Sequence, residues 1–320
     1  MRFIPPNTEL IDESNPFKKI EIAGRTCYKS DSEFTDESAK KFVDTMIKRK
    51  HYAMLEHGQF TFVISGMKEG QIDPQFLSIP YIRHSYRNGT YIITVSMSHL
   101  CKWPLVLNTD DISEFTWQIY YRMQKIVNDI YFNDLNQPFA IFDGIVVRLI
   151  DDIEELEYAT YADVMLHKSM TLKFTCDRGV SHELVRHRYS PAQESQRYCN
   201  YGKDKFGNEI TFIAPCDFDI WEDADKELFI TSLKNSETIY LKLLELGKTP
   251  QQARAVLPNA TKTEVVFTMP LFAWEHFLDL RSRGTTGAPH PDMKVVADIA
   301  AAHLEPTLTR IKNRYLDAER

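Results

Sequence analysis

The clearest periodicity in the chain is a two-residue alternation, in which Met170, Leu172 and Phe174 interleave with Thr171, Lys173 and Thr175. It predicts a strand with one buried face. The same pattern predicts strands over Phe60–Ile64, over Tyr91–Ser96 after an Asn88-Gly89 turn, over Glu209–Ile213 and over Thr263–Thr268. Ile20-Glu21-Ile22-Ala23 reads as a shorter strand leading into a basic loop, and three prolines mark residues 1–18 as irregular. Helical spacing takes over elsewhere. A helix through Lys50 starts at Thr35 or Asp36, with Ala39, Phe42, Val43 and Met46 on one face. Residues 111–134 carry a capping signal at Ser113, and Asp177 caps a helix whose stripe is Val180, Leu184 and Val185. Residues 222–246 place Leu228, Thr231, Ser232, Asn235, Ile239, Leu243 and Leu246 near one stripe, and Gly247 ends them. Thr249-Pro250-Gln251-Gln252 is a capping box, Trp274–Arg281 is helical, and 292–304 is an amphipathic helix that Pro306 kinks or ends.

Composition narrows the class. Hydrophobic residues are 43% and charged residues 26% of the 320, as in ordinary globular domains. No apolar run approaches the ~20 residues of a membrane helix, and Met-Arg-Phe-Ile-Pro-Pro-Asn at the start has no secretory core. Five cysteines without metal-ligand or C-x-x-C spacing predict reduced thiols in a cytoplasm. A net charge of −7 argues against nucleic acid as a partner.

Against that acidic background, Arg178–Tyr198 holds four Arg and two Glu, a local +2. Such a reversal suits an anionic ligand. Arg186 and Arg188, two residues apart, point to nearly opposite sides and can address two ligands or two subunits. The polar segment Ser190-Pro191-Ala192-Gln193-Glu194-Ser195-Gln196-Arg197-Tyr198 reads as a loop across a site mouth, with hydroxyls, an amide and a guanidinium fork for phosphate. A bare Arg-His-Arg would be a solvated helix end complementing the dipole; the polar segment after it argues for a site. His182 and His187 are five apart, about 140° out of register on a helix, which excludes a zinc-protease pair. No metal site is expected.

Arg186-His187-Arg188 followed by Ser195-x-Arg197-Tyr198 resembles the signature of the flavin-dependent thymidylate synthases. The flanks Cys176–Val185 and Cys199–Phe212 resemble the same family, as do Arg25–Ser30, Glu56-His57, Ala253-Arg254-x-x-Leu257-Pro258, Phe277–Arg281 and Ala288-Pro289-His290-Pro291. Two departures stand out. The loop from Arg188 to Ser195 is one residue short of the family's spacing, and Met269-Pro270-Leu271-Phe272 stands where many members have flavin-contacting Asn and Arg.

The resemblance covers 20–66 and 168–300. It implies an α+β fold, a mixed or antiparallel sheet core flanked by helices. The catalytic domain would be 1–66 and 168–320, with 67–167 an inserted α/β decoration packed on the outside. It implies reductive methylation of dUMP to dTMP, with 5,10-methylenetetrahydrofolate giving the carbon, FAD the hydride and NADPH the electrons that re-reduce FAD. In that reading Arg281 sits at the pyrimidine carbonyls and Ser195 beside the nucleotide. Glu183, Arg186, Gln193, Ser195, Arg197, Arg254 and Arg281 bind dUMP, and His57, Arg186, His187, Arg188 and His276 hold FAD. It also implies a homotetramer with shared active sites. Two alternatives belong beside it: a binding protein that has lost catalysis, and a flavin- and folate-dependent methyltransferase acting on another uracil-containing substrate such as RNA.

Overall fold

The structure is a computed structural model and describes residues 1–30, 33–106, 112–203 and 206–316. In chain order the elements are β1 (Arg2–Phe3), β2 (Asn7–Leu10), α1 (Pro16–Tyr28), α2 (Asp36–Lys48), α3 (Tyr52–Leu55), β3 (Gln59–Ser65), α4 (Pro74–Leu77), β4 (Arg83–Arg87), β5 (Thr90–Ser96), α5 (Met97–Val106), α6 (Glu114–Tyr131), β6 (Phe139–Phe142) and β7 (Ile145–Ile150). Then follow α7 (Tyr161–His167), β8 (Ser169–Asp177), α8 (Arg178–Leu184), β9 (Ala192–Gln193), β10 (Thr211–Phe212), α9 (Asp223–Glu245), α10 (Pro250–Ala253), β11 (Lys262–Pro270), α11 (Leu271–Arg281) and α12 (Pro291–Leu316).

Two antiparallel sheets organise the described residues, so the fold is α+β as expected. One runs β2-β8-β11-β9 and the other β4-β5-β3-β7-β6. β8 and β11 pair along their whole length, from Lys262 opposite Asp177 to Pro270 opposite Ser169. The second sheet shows where residues 67–167 go. β5 pairs with one edge of β3 and β7 with the other, so these residues extend a sheet through β3 rather than resting on its outside. Separate apolar clusters back the two sheets. Phe17, Phe60, Phe62, Trp103 and Tyr120 belong to the cluster against the five-stranded sheet, and Phe174, Phe267, Trp274 and Phe277 to that against the four-stranded one.

Several elements follow from local chemistry. Thr35 and Ser38 cap α2 reciprocally, the Ser113 hydroxyl accepts from the Thr116 N–H, and Gly247 leaves α9 at φ 82°. The expected start of the second of these helices at Asp111, and Asp204-Lys205 within the Cys199–Phe212 stretch, lie outside the described residues.

Other expectations fail for identifiable reasons. Residues 20–23 lie inside α1, because Asn15 caps it, Pro16 opens it, and Phe17, Ile20 and Ala23 are buried at helical spacing. Residues 1–18 are not irregular: β1 pairs with β10 and β2 with β8. The helix containing Pro306 runs on to Leu316, since Leu308 and Ile311 are buried beyond it and Arg310 and Arg314 grip Glu154. On α9 the buried row is Leu233 and Tyr240, while Leu228, Ile239 and Leu246 are exposed. Among the described residues no helix is long and apolar enough to cross a membrane.

Candidate active site

β8 delivers the chain into α8, where the Asp177 carboxylate accepts the Val180 N–H. α8 gives way to a 3-10 turn over Val185–His187, and the chain leaves it with Arg188 at φ 56° and Ser190 at φ 37°. Left-handed backbone at two non-glycine residues so close together is costly, and such strain concentrates at functional sites. The turn aims His187 at α11. There Arg281 donates from Nη1 to Glu183 Oε2 at 2.6 Å and from Nε to His187 Nε2 at 3.2 Å. The His187 and His276 rings are 6.4 Å apart, and Phe277 lies 5.0 Å from His187. Burial, then the charge of Arg281, then His276 push the His187 imidazole down to about 4. It is neutral at physiological pH and accepts from the guanidinium. Glu183, His187, His276 and Arg281 therefore come together, two residues expected at the nucleotide and two expected at the flavin.

The cluster continues as a stripe of flat side chains. Phe272 sits one helical turn before His276 on α11, and both are exposed. Tyr189 lies 6.4 Å from Phe272 and 5.8 Å from Tyr81. Beneath the stripe the two sheets meet in a polar seam. The His57 Nδ1 and the Thr268 hydroxyl are 3.0 Å apart, and Thr268 reaches Thr171 at 2.9 Å. Among the described residues His57 Nε2 is buried without a well-formed hydrogen-bond partner, the Ser190 backbone lying near the ring. Burial lowers the His57 pKa to about 4, partly opposed by the Ser190 backbone. Thr61 and Thr94 are 2.8 Å apart, as are the Thr94 hydroxyl and His167 Nδ1. Arg83 donates to the Ser169 hydroxyl at 2.9 Å and to the Gln59 side-chain carbonyl. A cavity of about 720 Å³ opens from this seam between β3, β7, β8 and residues 10–16, within the range of small-molecule sites.

The remaining expected residues are dispersed. Arg186, Arg188 and Arg197 are exposed, and the Arg197 guanidinium lies 5.6 Å from the Tyr198 ring centre. Gln193 donates to the Ser181 hydroxyl at 2.8 Å, linking β9 back to α8. Ser195 donates its backbone N–H to the Cys27 carbonyl. Among the described residues no side chain hydrogen-bonds its hydroxyl, so no base is in place to make it a nucleophile. Arg254 acts on Arg178 as a like charge rather than joining Arg281.

Sequence reasoning passed over a half-buried charged quartet at the start of β11. Lys262 Nζ is 2.9 Å from Glu194 and 2.5 Å from Glu264, and Lys29 is 2.5 Å from the same Glu264 oxygen. The Tyr201 hydroxyl donates to Glu194 at 3.0 Å. Lys262 and Glu264 share a strand face by their spacing of two, a detectable signal; their partners Lys29 and Glu194 come from elsewhere in the chain. Arg83 was also missed, because on sequence it is one of several cations near a turn.

The family model for the thymidylate synthase complementing protein matches residues 9–70 and 110–307. A flavin-dependent thymidylate synthase of Thermococcus kodakarensis is 37% identical over 129 residues, which are 38% of this chain and 49% of that protein. One from Geobacter sulfurreducens is 32% identical over 151 residues, 47% of this chain and 61% of that protein. The chain thus spans about half to three fifths of the curated relatives it matches. The solved structure of a UMP/dUMP methylase PolB from Streptomyces cacaoi bound with 5-Br dUMP aligns over 98% of both chains, with 14% identity and a TM-score of 0.41.

Proposed function

The chain belongs to the thymidylate synthase complementing protein family, and on that premise we propose that it is a flavin-dependent thymidylate synthase converting dUMP to dTMP. The observation that carries this reading is the Arg281 guanidinium, held by Glu183 and by neutral His187 at the end of α11. A guanidinium fixed by two partners is pre-organised. It costs no reorganisation when negative charge develops on a pyrimidine carbonyl, so it activates the ring without a protein nucleophile. Arg254, with Arg178 beside it, and the exposed Arg197 supply forks for a nucleotide phosphate. Gln193 and Ser195 add an amide and a hydroxyl.

The residues present fit a flavin. Among the described residues His57 Nε2 is a buried polar atom without a well-formed hydrogen bond, and His187, His276, Tyr189 and Phe272 form a surface for a flat ring. Arg186 and Arg188 would help hold FAD there, and the bound flavin, reduced by NADPH, would supply the hydride that completes the methyl group from 5,10-methylenetetrahydrofolate. Arg254 and Ser195 are tied to groups other than the Arg281 cluster. That dispersal supports a homotetramer whose active sites are shared, with Arg186 of one subunit reaching a neighbour's nucleotide.

Anaerobic turnover with dUMP, methylenetetrahydrofolate, FAD and NADPH tests the reading. dTMP should form, and Arg281→Ala should reduce its rate at least ~100-fold, the scale for losing one donor to developing negative charge. A folded, flavin-loaded protein that makes no dTMP overturns it.

A further inference from the structure

Arg83 is 7% exposed, and burial draws its guanidinium down to about 10. Its hydrogen-bond partners are neutral, the Ser169 hydroxyl and the Gln59 amide oxygen. Among the described residues no carboxylate lies within 4.0 Å of it. Glu56 lines the same crevice, but its charged partner is Lys102 at 3.9 Å. A buried cation without a counter-charge is costly, and folded chains ordinarily pair it. Here the charge is left free, at the base of a crevice of about 20 Å³ bordered by Tyr81, Tyr189, Ser190 and Thr268. That space admits about one water-sized atom. A single ring oxygen fits that space. Tyr81 and Tyr189, at its mouth, offer faces on which a flat ring can stack.

Arg83 also lies in the stretch between residues 70 and 110, outside the family match. Its partner Ser169 pairs with Pro270, inside the Met269–Phe272 segment where this chain departs from the family's pattern.

We propose that Arg83 binds the oxygen-bearing edge of the reduced flavin ring and stabilises the negative charge that the ring gains on reduction. This rests on the reading that the protein uses a flavin. A cation next to that edge tunes the ring's electronics, and a neighbouring carboxylate would cancel its field. The absence of one leaves the whole charge for the state of the ligand that is anionic.

The experiment is a spectroelectrochemical titration of FAD bound to wild-type protein, Arg83→Met, Arg83→Lys and Gln59→Glu. Arg83→Met should weaken reduced relative to oxidised flavin about tenfold, equal to about 30 mV lower for a two-electron couple. Arg83→Lys, which keeps the charge, should stay near wild type. Gln59→Glu keeps the shape and sets a carboxylate on the guanidinium, so it should show the same fall even if Arg83→Met does not fold. Flavin that binds with an unchanged potential in either neutralising variant overturns the proposal. Wild-type protein that binds no flavin overturns the functional reading as well, so the two failures are distinguishable.

Discussion

Buried positive charge is handled in opposite ways at two places in this chain. At the edge of β11, Lys29 and Lys262 share Glu194 and Glu264. Burial pushes the Glu264 carboxyl up, but Lys262 and Lys29 overcome it and hold the group at about 2. In the seam between the sheets, Arg83 meets among the described residues a hydroxyl, an amide, the Tyr189 phenol and neutral imidazoles, but no carboxylate within 4.0 Å. The first arrangement ties α1, β9 and β11 together and leaves no field to spare. The second leaves a cation whose charge nothing in the described fold consumes. In the quartet the charges are spent on holding the fold together, whereas at Arg83 the charge stays available to a ligand.

The largest test of that contrast removes a cation from the compensated quartet. Lys262→Met should destabilise the protein by roughly 3–5 kcal/mol in a urea unfolding series, because the buried Glu194 loses its close cation and keeps only Lys29 at 3.8 Å. A loss below ~1 kcal/mol would erase the distinction.

Next in size is an acid sensitivity belonging to the seam. His57 in the fold titrates at about 4 against an ordinary value of 6.5. The unfolded chain therefore takes up the proton first as pH falls. The stability is fully present above pH 6.5 and is lost progressively toward pH 4, roughly 3 kcal/mol for this group. His167, lowered to about 3 mainly by burial and then by Arg83, adds in the same direction. Glu264 loses its contribution only below its ordinary 4.5, down toward 2. Unfolding free energies across pH 4–7 should therefore fall on acidification, and His57→Asn should flatten the slope. A profile flat until pH 4.5 would place the acid-labile charge in the quartet instead.

The smallest expected change is the most discriminating. Arg83→Met in the ligand-free protein should leave stability within about 1 kcal/mol of wild type or raise it, since an uncompensated charge is removed. A loss above ~3 kcal/mol in the same urea series would make Arg83 a structural residue.

Legibility on sequence followed the range of the interactions. The caps at Thr35, Ser113 and Asp177, the Asn88-Gly89 turn, and the alternation in β8 and β11 were readable because each rests on neighbours within about four residues. Residues 20–23 misled because four alternating residues suit a strand or a helix, and the deciding signal was the cap at Asn15. The stripe on α9 misled because that helix carries two apolar rows. Only the packing of Leu233 and Tyr240 beside Tyr201 and Phe212 selects between them. Of the candidate site, Glu183, His187, His276 and Arg281 were legible as motifs. That Arg281 bonds both Glu183 and His187 was not, since α8 and α11 lie 98 residues apart by the Glu183–Arg281 pair.

The sequence alone determined the local elements, the basic centre at 178–198 in an acidic chain, and a resemblance dense enough to name the family. Tertiary structure decided which charges are buried and which are answered. Arg83 reaches Ser169 across 86 residues, and Glu194 meets Lys262 across 68. Whether a charge is compensated depends on which strands pair, and strand pairing is set by burying apolar faces cooperatively over the whole chain. No window of neighbouring residues contains that information.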